Sequence, residues 1–371
     1  MRDARRFAPA AGASDQAPAE ATATTAPLQA VREWVREVGI PRLLIGVFLV
    51  LLLAIAVFTR MDLQSLLSDS LLRVGRNGLL VLALLPAVQG GTGLNFGLPI
   101  GIICGLVGCV TTLNAGVGGW AGLGLSAAIG SALAIPAGMV YGWLLNRTRG
   151  QEMMVGTYLG FAVVSGMSIF WIVAPFTSPT LIWAIGGKGL RTTLTLRGVY
   201  EKILDHLWAF DVFGVTIPTG TFLVFALACV AVGLFFRTRA GITISAARSN
   251  AAFARAAGIS DERTRVQATV LSTVLAALGI VVFAQSYGFL QLYTAPLLMA
   301  FPAVACLLIG GASVQRATLT HVIIGTVLFQ SILTVALPVT SQVIQGDISE
   351  TARLIIQNGM ILYALTRRGD R

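Results

Sequence analysis

Apolar residues in this chain come in long runs separated by short polar or basic stretches, the first run beginning only after Pro41. Runs of this kind predict helices close to the roughly 20 residues that a bilayer core requires. Ten are expected, over 43–58, 72–89, 97–114, 121–145, 152–174, 219–236, 266–287, 294–312, 317–338 and 351–366. Residues 1–30 are rich in Ala, Pro and Thr and lack periodicity, which predicts a disordered tail rather than a secretory signal. Residues 31–42 suit a short interfacial helix with Trp34 at headgroup level. The expected fold class is an all-α polytopic membrane protein, with a transmembrane domain over 43–366 and a short tail over 367–371.

Composition sharpens this picture. The 371 residues are 56% hydrophobic and 11% charged, where a soluble chain carries about a quarter charged residues. So little charge leaves no water-compatible surface for a protein of this size. The net charge of +10 therefore marks topology rather than a nucleic-acid partner, because the arginines cluster between apolar runs. With ten spans and a cytoplasmic N-terminus, 18 of the 26 basic residues fall on the cytoplasmic side, six of them between 237 and 265. Both termini are then cytoplasmic. The long 175–218 loop is external, and reads either as a docking platform for an outside partner or as a plain connector. Within it, Val199–His206 could lie as an amphipathic helix on the outer surface.

Reactive chemistry is sparse. Cys104, Cys109, Cys229 and Cys306 lie in apolar runs without metal-site spacing, as small hydrophobes do. The carboxylates are expected in tails, loops or helix ends, which argues against a proton-coupled carrier. His206 and His321 have no partner at catalytic spacing, and Gly186-Gly187-Lys188-Gly189 lacks the rest of a phosphate loop. No catalytic residue and no metal site is expected. Energy for uphill transport would have to come from another chain.

Two segments break the apolar pattern. Gln89–Gly97 (QGGTGLNFG) puts four glycines between two apolar helices. Backbone that leaves helical hydrogen bonding at membrane depth lines a cavity or is buried in protein; a short cytoplasmic turn is the plainer reading. Arg237–Arg265 is long and basic, and Ser249 or Asn250 can cap a short helix over 251–257 that Gly258 terminates. Such a helix suits a groove on a cytoplasmic partner.

These segments carry a resemblance. Thr238-x-x-Gly241, then Asn250-Ala251-Ala252 and Ala257-Gly258-Ile259, is similar to the cytoplasmic coupling loop of permeases from bacterial ABC importers of the ribose, simple-sugar and nucleoside type, within the branched-chain amino-acid permease superfamily. Gly90-Gly91 with Leu94–Gly97 resembles that family's second-helix motif, and Ile309–Ser313 its Gly-Gly segment. Arg248 and Ser249 depart from the glycine common in sugar permeases, and Val314–Thr318 replaces a second glycine cluster.

The resemblance implies a bundle like that of type II ABC importers, embedded with lipid in the bacterial inner membrane. It implies a second permease copy or paralogue, a cytoplasmic ATPase that holds ATP and Mg, and a periplasmic solute-binding protein. No cofactor is then bound by this chain. Thr238, Gly241, Arg248, Asn250, Ala251, Ala252, Gly258 and Ile259 would form the ATPase-coupling element. For the solute path the polar candidates are Gln89, Thr92 and Asn95, then Gln285, Tyr287, Gln291 and Tyr293, since amides and phenols hydrogen-bond hydroxyls and rings stack on a sugar or base. The tyrosines also suit an interfacial aromatic belt. A self-contained carrier or facilitator for a small polar solute is the alternative.

Overall fold

The computed structural model describes residues 40–176, 178, 181–182, 192–343 and 348–366. The expected 1–30 tail, all but the last residues of the 31–42 helix, Gly186–Gly189 and the 367–371 tail lie outside the described residues. Helices fall on each of the ten apolar runs. α1 is Ile40–Phe58, α2 Leu63–Leu82, α3 Leu84–Gln89, α4 Leu98–Asn114, α5 Gly119–Arg147 and α6 Glu152–Val173. After the expected outer segment come α8 (Thr219–Phe235), α9 (Arg239–Ser249), α10 (Ala251–Ala256) and α11 (Asp261–Tyr287). The chain closes with α12 (Thr294–Leu298), α13 (Ala300–Ile309), α14 (Leu319–Val343) and α15 (Ile348–Thr366).

Among the described residues, five helices are long and apolar enough to cross a membrane, or six if the bent α8–α9 pair counts as one. The ten-crossing expectation is therefore not met by length alone. α4 shows the physical reason. Its 17 residues rise only about 26 Å, less than a bilayer core of about 30 Å. But α4 is buried along most of its length and packs between α5 and α11, so protein rather than lipid surrounds it.

The second helix begins well before the expected residue 72. Asp62 caps α2, its carboxylate accepting from the Gln64 N–H at 3.0 Å. Leu66, Ser70 and Val74 then turn inward at helical spacing. This amphipathic start reads as loop in a search for apolar runs. The earlier start brings the exposed Asp69 into the 27-residue Leu63–Gln89 span, which also holds the half-buried Arg73 and Arg76 of the expected run. The expectation that carboxylates stay in tails, loops and helix ends thus fails at Asp69.

The 192–218 segment, expected to be the outer one, is more structured than the sequence indicates. β1 (Thr193–Thr195) pairs antiparallel with β4 (Phe289–Gln291), Leu194 facing Leu290. β2 (Phe210–Val212) and β3 (Val215–Ile217) form a hairpin whose two turn residues, Phe213 and Gly214, both have positive φ, the geometry that matches strand twist. Val199–His206 does not lie on the surface as one helix. Only α7 (Ile203–His206) is helical, because Tyr200, Leu204 and Asp205 insert into the core.

Candidate functional site

α8 and α9 meet at a 70° bend. Thr238 opens α9, its Oγ1 accepting from the Gly241 N–H at 3.4 Å. A Cβ on Gly241 would overlap the Phe235 carbonyl and the Phe236 backbone, so only glycine permits so tight an elbow. α10 follows at once. Asn250 caps it, its side-chain oxygen accepting from the Phe253 N–H at 2.9 Å. At the other end Gly258 takes φ +76°, and the Ile259 N–H returns to the Ala254 carbonyl at 2.9 Å. Ala254 anchors this helix inward, while Ala252 is exposed and Phe253 is 66% exposed.

Two arginines tie this basic end to the glycine-rich break between α3 and α4. Arg248, the penultimate residue of α9, donates to the Val88 carbonyl at 2.7 Å and also to the Gln315 carbonyl. Arg265, one turn into α11, donates to the Gly91 carbonyl at 3.3 Å and forms a 2.7 Å ion pair with Glu152 at the start of α6. Carbonyls freed where α3 ends thus find guanidinium donors from the 237–265 segment. The break and the basic loop are thus joined by hydrogen bonds from two arginines.

Within the break, Gln89 donates to the Ala317 carbonyl at 3.1 Å, and the Thr92 hydroxyl to the Ala87 carbonyl at 2.9 Å. Asn95 is buried and makes three hydrogen bonds. Its Nδ2 donates to Ser272 Oγ at 2.8 Å, and its Oδ1 accepts from the Gly97 N–H and the Tyr141 hydroxyl, both at 2.9 Å. These groups join α4, α5 and α11 around the non-helical backbone. Asn95→Ala should strand several buried polar groups and lower stability by about 1–3 kcal/mol, read as an earlier thermal unfolding midpoint in detergent. An unchanged midpoint would remove Asn95 from this role.

The remaining polar candidates lie elsewhere, near the β1–β4 pair. Gln285 is fully buried, its Oε1 accepting from the Leu204 N–H at 3.2 Å, so it holds the outer segment. Tyr287 stacks on Phe283 at 5.5 Å, and both rings lie under the Arg76 guanidinium, at 5.5 and 5.3 Å. Gln291 lines a cavity of about 310 Å³ together with Arg73, Arg76, Asn77, Gln330 and Gln357. Tyr293 is half-buried against the apolar core. The structure therefore splits the seven candidates into two groups, one at the break and one toward the outer segment. Sequence reasoning missed Arg73 and Arg76. Their i, i+3 spacing on one helix face was the available signal.

No match was found among curated proteins or among solved structures. A family model described as branched-chain amino acid transport system / permease component matches residues 66–365, from within α2 to the end of α15. The chain belongs to this family of ABC-type permease components.

Proposed function

We propose that this chain is the membrane-spanning permease subunit of an ATP-binding-cassette importer that carries a sugar- or nucleoside-like solute into the cytoplasm. The reading rests above all on α10, a short helix capped at both ends that presents Phe253 outward. An exposed aromatic on a rigid helix fits a groove on a cytoplasmic ATPase, where buried aromatics dominate interface energy. Asn250, Ala251, Ala252, Gly258 and Ile259 shape this element, and Thr238 and Gly241 set its approach through the elbow. Arg248 contributes differently. Its guanidinium is engaged inward, so it passes motion of α9 to the break rather than meeting the partner. Closure of the ATPases around ATP and Mg would swing α10, and Arg248 and Arg265 would carry that displacement to Val88 and Gly91 as a rigid-body movement.

In this reading the membrane is the bacterial inner membrane, with both termini cytoplasmic. A second permease, identical or related, completes the path, and a periplasmic binding protein delivers solute near the β1–β4 end. Chemistry belongs to the ATPase.

Co-purification tests the assignment. Phe253→Ala should weaken recovery of the ATPase subunit by about 30-fold in affinity, the loss of one aromatic anchor at about 2 kcal/mol. Asn250→Ala should give a smaller loss, about 1 kcal/mol, through the missing cap. Recovery unchanged in both variants would defeat the coupling assignment of α10.

A further inference from the structure

Arg76 is midway along the Leu63–Gln89 span, with thirteen residues of the span on either side. A charge at that position in a membrane helix is costly and marks a functional site by default. Arg76 makes no contact ion pair among the described residues. Its Nε is buried without a partner, and its guanidinium donates no hydrogen bond among those residues. Asp69 and Asp205 act on it only through space, and Arg73, one turn away, repels it. What holds it is aromatic: the rings of Phe283 and Tyr287 lie 5.3 and 5.5 Å from its carbon.

The cavity that Arg76 lines sets positive charge and amides against a largely apolar wall. Two guanidiniums, Arg73 and Arg76, face the same space as the amides of Asn77, Gln291, Gln330 and Gln357, and among the described residues no carboxylate lines it. Its volume, about 310 Å³, is at the small end of ligand pockets. Guanidinium forks bind carboxylate and phosphate through paired charge-assisted hydrogen bonds, and the amides are left to read hydroxyls. A neutral polyol could accept hydrogen bonds from the half-buried guanidinium, but only an oxyanion also compensates its charge.

From this juxtaposition we infer that the cavity between α2, α11, α12, α13, α14 and α15 is a solute subsite for an oxyanion, so that the transported solute carries a carboxylate or phosphate on a small hydroxylated frame. The inference rests on the permease reading above and narrows its solute class. Arg76 supplies the principal charge, held in place by Phe283 and Tyr287. Gln291, on β4, puts an amide at the cavity from the strand that pairs with the outer segment.

Binding to the purified full chain in phosphatidylcholine nanodiscs, measured by microscale thermophoresis, tests it. The probes are ribose, ribonate and ribose 5-phosphate, which share a frame and differ in charge and oxyanion. At least one oxyanion should bind about ten-fold more tightly than ribose, and the tighter of the two identifies the group. Arg76→Gln should abolish the difference and Arg76→Lys should keep part of it. Gln357→Glu, nearly isosteric, should weaken oxyanion binding by placing a carboxylate in the cavity while Arg76 stays. Ribose binding as tightly as both oxyanions, an unchanged ranking in Arg76→Gln, or no binding by any probe overturns the inference. So does loss of oxyanion binding in phosphatidylglycerol discs, which would reassign the cavity to a lipid headgroup. ATPase co-purification is scored on the same variants. Wild-type recovery of the ATPase without an oxyanion preference defeats this inference alone, whereas an oxyanion preference without ATPase recovery defeats the permease reading alone.

Discussion

Arg265→Ala is expected to destabilise the protein by about 1–3 kcal/mol, because it leaves the half-buried Glu152 carboxylate without its charged hydrogen-bond partner. The pair is 2.7 Å apart, and the two side chains are only 9% and 16% exposed. A surface pair would be worth little, but here solvent replaces the lost guanidinium only in part. The same substitution releases the Gly91 carbonyl. Thermal unfolding in detergent reads the loss. A double-mutant cycle with Glu152→Met and Arg265→Met separates the pair from simple truncation. The double variant should be less damaged than the sum of the single variants, since it removes both charges together. A wild-type unfolding midpoint for Arg265→Ala would show that the ion pair does not hold α6 to α11.

Gly310→Ala and Gly325→Ala should each cost about 3 kcal/mol, the upper end of ordinary overpacking. The two glycines face each other where α13 ends against α14. A Cβ on Gly310 would overlap the His321 carbonyl, and one on Gly325 the Cys306 carbonyl. Both obstacles are backbone, so no side chain can swing aside. Small residues at such crossings let membrane helices approach closely. Gly124→Ala is the control: it sits in α5 with nothing within 4 Å of the added carbon. There alanine should stabilise the helix by roughly 0.5–1 kcal/mol. If Gly310→Ala and Gly124→Ala unfold alike, close approach at the α13–α14 crossing is not what the glycine supplies.

Much of the architecture was legible because a bilayer imposes long apolar runs, and every expected run holds a helix. Turn chemistry was legible too: Asn250 and Gly258 bound a short helix as their side-chain oxygen and positive φ require. The start of α2 was not, since its first turns mix polar and apolar residues like a surface loop and hid Asp69, while Arg73 and Arg76 fell inside the expected 72–89 run and were masked by its apolar composition. The long-range contacts of the site were also out of reach. Arg248 reaches Val88 across 160 positions, Arg265 reaches Gly91 across 174, and Asn95 reaches Ser272 across 177. Periodicity places residues on faces of their own helix, and it does not say which face of a distant helix they meet.

Gln89, Thr92 and Asn95 illustrate the difference between a polar residue and a free one. Their amide and hydroxyl groups suited a solute path, yet in the structure each already bonds to protein. Their chemistry secures the broken backbone, and Arg248 and Arg265 grip its carbonyls from the basic loop. Of the polar candidates toward the outer segment, Gln291 lines the cavity and Tyr287 lies against Arg76.

Reconstitution in sealed vesicles tests the central claim most directly, with solute uptake followed in the presence and absence of the ATPase subunit and of ATP. Accumulation against a gradient should require both, and should fall when Arg248→Ala disconnects α9 from the break while the chain remains folded. Uphill accumulation by this polypeptide alone, driven by an ion gradient without nucleotide, would contradict the account.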